Sequence, residues 1–544
     1  MNLEPIQIEL ENFFDVIIVG GGTCGLAVAA RLCENCPGSI FTEDEHQRFH
    51  WLKQRGHKVN LLDKPGYSNC ASFKSSDILV LDLMDNKFCS QWEQQFKSCQ
   101  IPYLRSPMFF HLDPVTIDGM YNFSFLNNRQ NELMEITNVV GKEFSKHQQK
   151  RIKRKKSNRI DDKTHDANGI VDINMRDWRD YYRPSTKLFH DYNEEIVTRY
   201  NLQNCVRQDE VSYIEYKLLQ SGENIGKGLV ITTKSGKQYG CKIGIVSTGH
   251  FGDINYPIKP FNNTKNTCHT THLFQNKVKF LDDHYFKNRK SKNIVIVGGG
   301  LTSAQLAHVA CQDPTVKSVT LLFRSPIKIK HFDFHLDWVT KYKNVKKSAF
   351  YIKDTDEERY EMLINAREGG SINPEYYKKL NKHVKSGKLK WLTSTSIVEQ
   401  AFDETYELAL NSGDKLSNVD FIYFATGIRA NVNSLKFLQP ILNEQKIDIV
   451  EGYPCLTDNL QWNEEVPLFM TGKNASLKIG PTSANLDGAR TAAERIGWYL
   501  QDLKQRGELN WSGVETSTNN SSIFDTQLKL ASGQLNWFTL LDTA

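Results

Sequence analysis

The amino-acid sequence predicts an α/β fold with two nucleotide-binding domains of βα type, the second inserted into the first. Three observations carry this. Phe14 to Leu32 and Lys292 to Ala307 look alike: each is a β-branched run, a Gly-rich turn and a small-residue stretch. Apolar runs of that kind read as strands of a buried parallel sheet. Further β-branched runs end in Gly at Gly249, Gly427 and Gly472, as strands of such a sheet do where they turn.

The first element is Gly20-x-Gly22-x-x-Gly25, directly after a strand and opening a helix. That context is the dinucleotide fingerprint of a Rossmann-like unit. Gly20 permits the tight turn, Gly22 lets backbone approach a pyrophosphate, and Gly25 lets helix and strand pack closely. The helix N-terminus offers unpaired N–H groups and a positive dipole end. A ribose carboxylate is expected roughly 20 residues on, at the end of the second strand. Ile40 to Glu43 fits and makes Glu43 the candidate. Its neighbours Asp44 and Glu45 leave a solvated acidic turn as the other reading.

The second element is Gly298-x-Gly300-x-x-Ser303, with Ser in the third small-residue place. Its second strand is expected at Val319 to Phe323, followed by Arg324. A cation there suits a ribose 2′-phosphate and points to NADPH over NADH, with Lys328 and Lys330 adding charge. An ordinary surface arginine is the plainer reading. Two fingerprints in this order, the later one interrupting the first domain, suggest FAD first and NADPH second. The run ending Ala425-Thr426-Gly427 would return the chain to the first domain. The expected boundaries are 12–255 and 415–505 for the FAD domain, 290–412 for the NADPH domain, and 506–544 for a tail.

The chain has 544 residues, 39% hydrophobic and 11% aromatic, which excludes a mainly disordered protein. Its net charge of +5 is weak for this length and does not suggest a nucleic-acid binder. The odd set of 11 Cys fits free thiols in a reducing compartment. Met1 to Glu11 lacks an apolar signal core and no long apolar stretch occurs, so the expectation is a cytoplasmic protein without a membrane span. No metal-ligand cluster, nucleophile elbow or P-loop is visible. The basic run 146–162 reads as a solvated loop, with nuclear import or an anionic partner as alternatives.

These motifs resemble the flavoproteins with two dinucleotide-binding domains. Within that superfamily the resemblance is to flavin-containing monooxygenases, the lysine/ornithine N-hydroxylases and the oxidative-stress-induced growth inhibitor proteins. It rests on both fingerprints, on Ser247-Thr248-Gly249-His250, Leu322 to Pro326 and Phe424 to Gly427, and on three runs of the hydroxylase-like branch. Those runs are Tyr103 to Pro107, Arg367 to Ile372 and Gly480 to Arg490. The resemblance spans roughly residues 14 to 500. It implies that the last helix points its N-terminus at the flavin pyrimidine end, placing Asn485 and Leu486 there, with Thr248, Thr426, Gly427 and Gly472 at strand ends around the cofactors. Reduced flavin is negative at that edge, and a helix N-terminus stabilises it.

Arg105 reads as a phosphate or flavin-site cation, or equally as a structural ion pair. His111 and His250 read as packing residues. Cys33-x-x-Cys36 falls on the adenosine side, away from the flavin ring, which argues against a disulfide reductase. The expected activity is NADPH-dependent monooxygenation of a small molecule at N, S or a carbonyl, with O₂, through a flavin C4a-(hydro)peroxide. An NAD(P)H oxidase or quinone-type reductase and a non-catalytic flavoprotein regulator stay open. No catalytic residue, substrate or oligomeric state is legible.

Overall fold

The computed structural model describes residues 4–34, 37–38, 73–137, 139, 181–249, 252–258, 266–286, 291–339 and 343–509. The strand of the first fingerprint, Phe13–Val19, lies in an eight-stranded sheet between Gln238–Val246 and Ile78–Asp82. Both pairings are parallel, with Val16 opposite Ile78 on one side and Ile243 on the other. Val16 to Val19 are buried, which is why this strand is apolar throughout and not alternating. Val206–Gln208 closes one edge, and Leu468–Met470 pairs with Gln238–Val246. Beyond these, Val211–Ser221 and Asn224–Thr233 extend the sheet as antiparallel strands.

The second fingerprint strand, Lys292–Val297, stands in an all-parallel five-stranded sheet. The order is Thr267–His269, Phe421–Phe424, Lys292–Val297, Val316–Leu322, Leu389–Leu392. An antiparallel meander, Ile397–Asp403, Thr405–Leu410 and Lys415–Val419, packs beside it. The chain that builds this sheet therefore runs from 267 to 424. The expected span of 290–412 lies inside that stretch, between the short outer strand Thr267–His269 and Phe421–Phe424. The two crossings between the sheets run side by side, with Asp253–Ile254 pairing antiparallel with Ile428–Arg429.

Helix Thr23–Cys33 is backed by the final helix, Leu486–Gln505. Arg31 and Glu494 meet between them at 2.7 Å, only 1% and 2% exposed. Gly497 makes room: a Cβ there would lie 2.9 Å from the Arg31 side chain. The guanidinium also lies 5.5 Å from the Trp498 ring centroid. Both Nη atoms of Arg31 and Oε1 of Glu494 are buried without hydrogen-bond partners among the described residues, so the pair is costly to desolvate. We expect Glu494→Leu alone to lose about 3–5 kcal/mol of stability in urea unfolding, by stranding the arginine. Arg31→Met with Glu494→Leu should recover most of that loss.

Candidate functional site

The end of strand Phe13–Val19 is built for close backbone approach. Gly20 has φ +107°, and a Cβ on it would lie 2.6 Å from the Ser247 carbonyl oxygen. A Cβ on Gly25 would lie 2.1 Å from the Gly20 oxygen, so the helix can seat only on glycine. Gly22 differs: open space lies where its Cβ would be. Gly22 is also the N-cap of Thr23–Cys33, and no side chain supplies the cap. Next to Gly20, the Thr248 hydroxyl is buried and has no hydrogen-bond partner among the described residues. A bare loop, an uncapped helix start and an orphaned hydroxyl together fit the diphosphate of a dinucleotide.

Among the described residues, the strand paired with Phe13–Val19 on this side is Ile78–Asp82. Glu43 lies outside the described residues. The carboxylate at the strand end is Asp82, whose Oδ2 accepts from the Gly21 N–H at 2.7 Å. The long stretch of chain between helix and strand defeats the usual count of about 20 residues. The apolar run Ile78 to Leu81 followed by an acid is the signal that could have found it.

At the other end of the loop, Leu468–Met470 leads to Gly472, φ +63°. The Ser483 hydroxyl donates to the Gly472 carbonyl, and the Ser247 and Thr471 hydroxyls bond each other at 2.9 Å. Asn485 is the N-cap of the final helix but does not cap it. Its Nδ2 donates to Asp333 instead, at 3.2 Å. Leu486 is buried in the core. Behind it, burial alone would raise the Asp487 pKa, but Lys347 at 3.3 Å and Arg490 outweigh it and bring it to about 2.

The second loop repeats the first with one change. Gly298 has φ +155°, and a Cβ there would lie 2.4 Å from the Ala425 oxygen. Gly300 faces open space and is the uncapped N-cap of helix Leu301–Gln312. At the third position Ser303 is accommodated because its hydroxyl bonds the Gly298 and Gly300 carbonyls, at 2.9 and 2.7 Å. Gly370 lies against this loop, near Gly299 and Gly300. From the same segment, Arg367 donates to the Pro481 carbonyl and to Asp333, both at 3.0 Å. Asp333 thus joins Arg367 to Asn485 and ties the two loops' surroundings together.

Arg324 follows strand Val316–Leu322 and is exposed, and its guanidinium has no partner among the described residues. Lys328 and Lys330 are not spare charges. Lys328 donates to the Glu368 carbonyl and Lys330 pairs with the Glu368 carboxylate, each at 2.7 Å. Arg105 is held largely by carbonyl groups. It donates to the carbonyls of Lys330 and His331, at 2.8 Å each, and to the Ser371 hydroxyl at 3.0 Å. Burial lowers its pKa to about 10. It is a clamp between the first domain and the segment around Phe332. The Thr426 hydroxyl donates to the Asn255 carbonyl, and Asn255 N–H to Gly427, at 3.2 Å, so both predicted residues sit in the crossover.

Comparison with known proteins follows from this geometry. No protein-family model and no curated protein matches the chain. Among solved structures it is similar to the reduced ornithine hydroxylase of Pseudomonas aeruginosa, at 16% identity and TM-score 0.56, over 90% of this chain and 99% of that one. It is also similar to the Kutzneria sp. 744 ornithine N-hydroxylase solved with reduced FAD, NADP⁺ and L-ornithine, at 14% identity and TM-score 0.56, over 90% and 100%. The FAD-bound cadaverine monooxygenase of Erwinia amylovora matches at 14% identity and TM-score 0.54, over 90% and 94%. The chain shares its fold with these three enzymes.

Around the two loops, two residues escape sequence reasoning besides Asp82. Asp333 has no local signal. Lys473 follows Gly472, donates to the Ile428 carbonyl in the crossover, and is brought down to about 8 by burial and by Arg367. His111 is a packing residue: it is buried, its ring nitrogens meet the Ile117 carbonyl and the Asp113 N–H, and burial lowers its pKa to about 4. His250, Cys36, the run 146–162 and most of the tail lie outside the described residues. Among the described residues no three His, Cys, Asp or Glu side chains group as a metal site, and no helix is long and apolar enough to cross a membrane.

The Asp487 pKa sets a pH dependence. Its folded value is depressed, so its stabilisation is complete above about pH 4 and is lost as pH falls toward 2. Asp487→Asn should remove about 2 kcal/mol of the acid-induced loss in that window, read from denaturant midpoints at pH 2 to 6.

Proposed function

We propose that this chain is an FAD-dependent, NADPH-using monooxygenase that oxygenates a small molecule. The observation that carries the reading is a pair of bare-glycine cradles joined through Asp333. The fold shared with N-hydroxylating enzymes supports it. Gly20, Gly22, Gly25 and Thr248 hold the FAD diphosphate, and Asp82 takes the ribose hydroxyls in place of Glu43. The uncapped start of the final helix, at Asn485 and Leu486, with Gly472, would help hold the flavin and favour the negative charge it gains on reduction. Gly298, Gly300 and Ser303 hold the NADPH diphosphate, and Arg324 pairs with its 2′-phosphate.

When bound, NADPH supplies hydride and FAD supplies the reaction with O₂. The protein's own part is to bind, orient and exclude water. Arg367 and Asn485, both fixed on Asp333, hold the second domain's loop against the first domain's last helix. Arg105 anchors the opposite wall of the same junction. Lys473 holds the crossover carbonyl of Ile428 and keeps a protonated amine there below about pH 8. Asn255 and Thr426 fix the other crossing.

The purified protein should carry flavin, be reduced by NADPH, and on admission of air form a long-lived species spectrally distinct from oxidised and reduced flavin. Immediate reoxidation with stoichiometric H₂O₂ would make it an oxidase, and absence of flavin would sink both enzyme readings. Arg324→Ala should raise the NADPH concentration for half-maximal flavin reduction about tenfold and leave that for NADH unchanged. Equal loss for both nucleotides would remove Arg324 from the site.

A further inference from the structure

Helix Pro374–Lys385, which packs against Leu301–Gln312 and the edge strand Leu389–Leu392, has two unlike faces. Tyr376 and Leu380 are buried, and Val384 packs on the same core, so its inner seam repeats every four residues. Lys378, Lys382 and Lys385 keep a similar spacing on the opposite side and are all exposed. They form a ridge about 10 Å long. Like charges three and four residues apart on a helix repel each other, so the ridge costs stability unless something negative faces it.

Nothing in the described part of the chain does. Between Glu375 and Glu399 the sequence has six lysines and no acid. Glu375 is taken by Lys379 at 2.7 Å and by Arg183. The neighbouring helix Leu301–Gln312 carries no Asp, Glu, Lys or Arg. Lys388 is turned inward onto the carbonyls of Asp313 and Val316. Among the described residues, Lys378, Lys382 and Lys385 have no ion pair and no hydrogen bond. A helix C-terminus favours cations in the last turn, which accounts for Lys382 and Lys385. Lys378 stands in the second turn and gains nothing from it.

The residues beside the ridge indicate what kind of anion it meets. Tyr377 adjoins Lys378, and Trp391 follows the exposed Lys390 on the edge strand. Their ring centroids are 5.6 Å apart and their planes 14° apart, so one face of each ring is taken by the other. Both are half-buried, and Tyr377 Oη and Trp391 Nε1 have no hydrogen-bond partner among the described residues. Single-stranded nucleic acid is held by stacking bases on open ring faces, which this pair has spent on itself. Tyr and Trp with apolar bodies and wet tips, set among lysines, suit a layer of lipid headgroups.

We propose that this face of the second domain docks on an anionic phospholipid surface. Lys378, Lys382 and Lys385 meet the negative headgroups, and Tyr377 and Trp391 rest at headgroup level. The docking does not rest on the proposed oxygenation.

Cosedimentation of the full chain, as purified, with lipid vesicles tests it. Vesicles of phosphatidylcholine with phosphatidylserine should bind at least tenfold tighter than phosphatidylcholine alone, since each lysine near an anionic surface adds about fivefold. Raising the salt from about 0.05 to about 0.5 M should remove most of that difference, because exposed charges are screened there. Lys378→Gln, Lys382→Gln and Lys385→Gln together should weaken binding to the serine-containing vesicles at least tenfold and leave the urea midpoint unchanged. The same three positions changed to Arg should keep the binding. Equal binding to both vesicles, full binding by the triple Gln variant, or binding indifferent to salt overturns the proposal. Tighter binding of oligouridylate or polyglutamate than of vesicles, through the same lysines, also overturns it, by making a nucleic acid or an acidic protein the partner.

Discussion

Everything in this molecule depends on two places where backbone touches backbone. At Gly20 and at Gly298 the end of one parallel strand presses on the chain leaving its neighbour, Ser247 in one case and Ala425 in the other. A side chain at either point would part the strands. The contact leaves the next turn of chain exposed at Gly22 and Gly300, with nothing in front of it. Binding capacity here is therefore a by-product of packing: the tighter the strands close, the barer the loop they present.

The two units are not independent copies. Asp333 receives a guanidinium from one side and an amide from the other, and Arg105 spends its donors on carbonyls of the same segment. These bonds replace the hydration of each group and are individually modest. Together they fix the distance between the loops, a quantity that neither sheet determines alone. The buried Arg31–Glu494 pair acts at the rear, locking the first and last helices of the discontinuous domain to each other.

Legibility followed the range of the interaction. The glycine spacings at 20–25 and 298–303 were readable because their demands are met within six residues. The strand ends at Val246, Phe424 and Met470 were readable because a fully buried strand must be apolar throughout. Asp82 was not, since the chain between helix and strand is far longer than in a compact βα unit. The partners of Arg105 were not legible either, because they lie more than 200 residues away and are carbonyls, which leave no trace in side-chain chemistry. Asp333 and Lys473 are silent for the same reason. The strand Thr267–His269 was not legible because three residues are too few to carry a period.

The paired crossings at Asp253–Ile254 and Ile428–Arg429 have a mechanical consequence. A single linker would let the domains bend and slide freely. Two antiparallel strands bonded along their length behave as a torsion bar, stiff to stretching and shear but compliant to twist. Lys473, which grips the Ile428 carbonyl, sits at the clamped end of that bar. The two crossings are thereby bonded into one unit, so neither can shift along its length without the other.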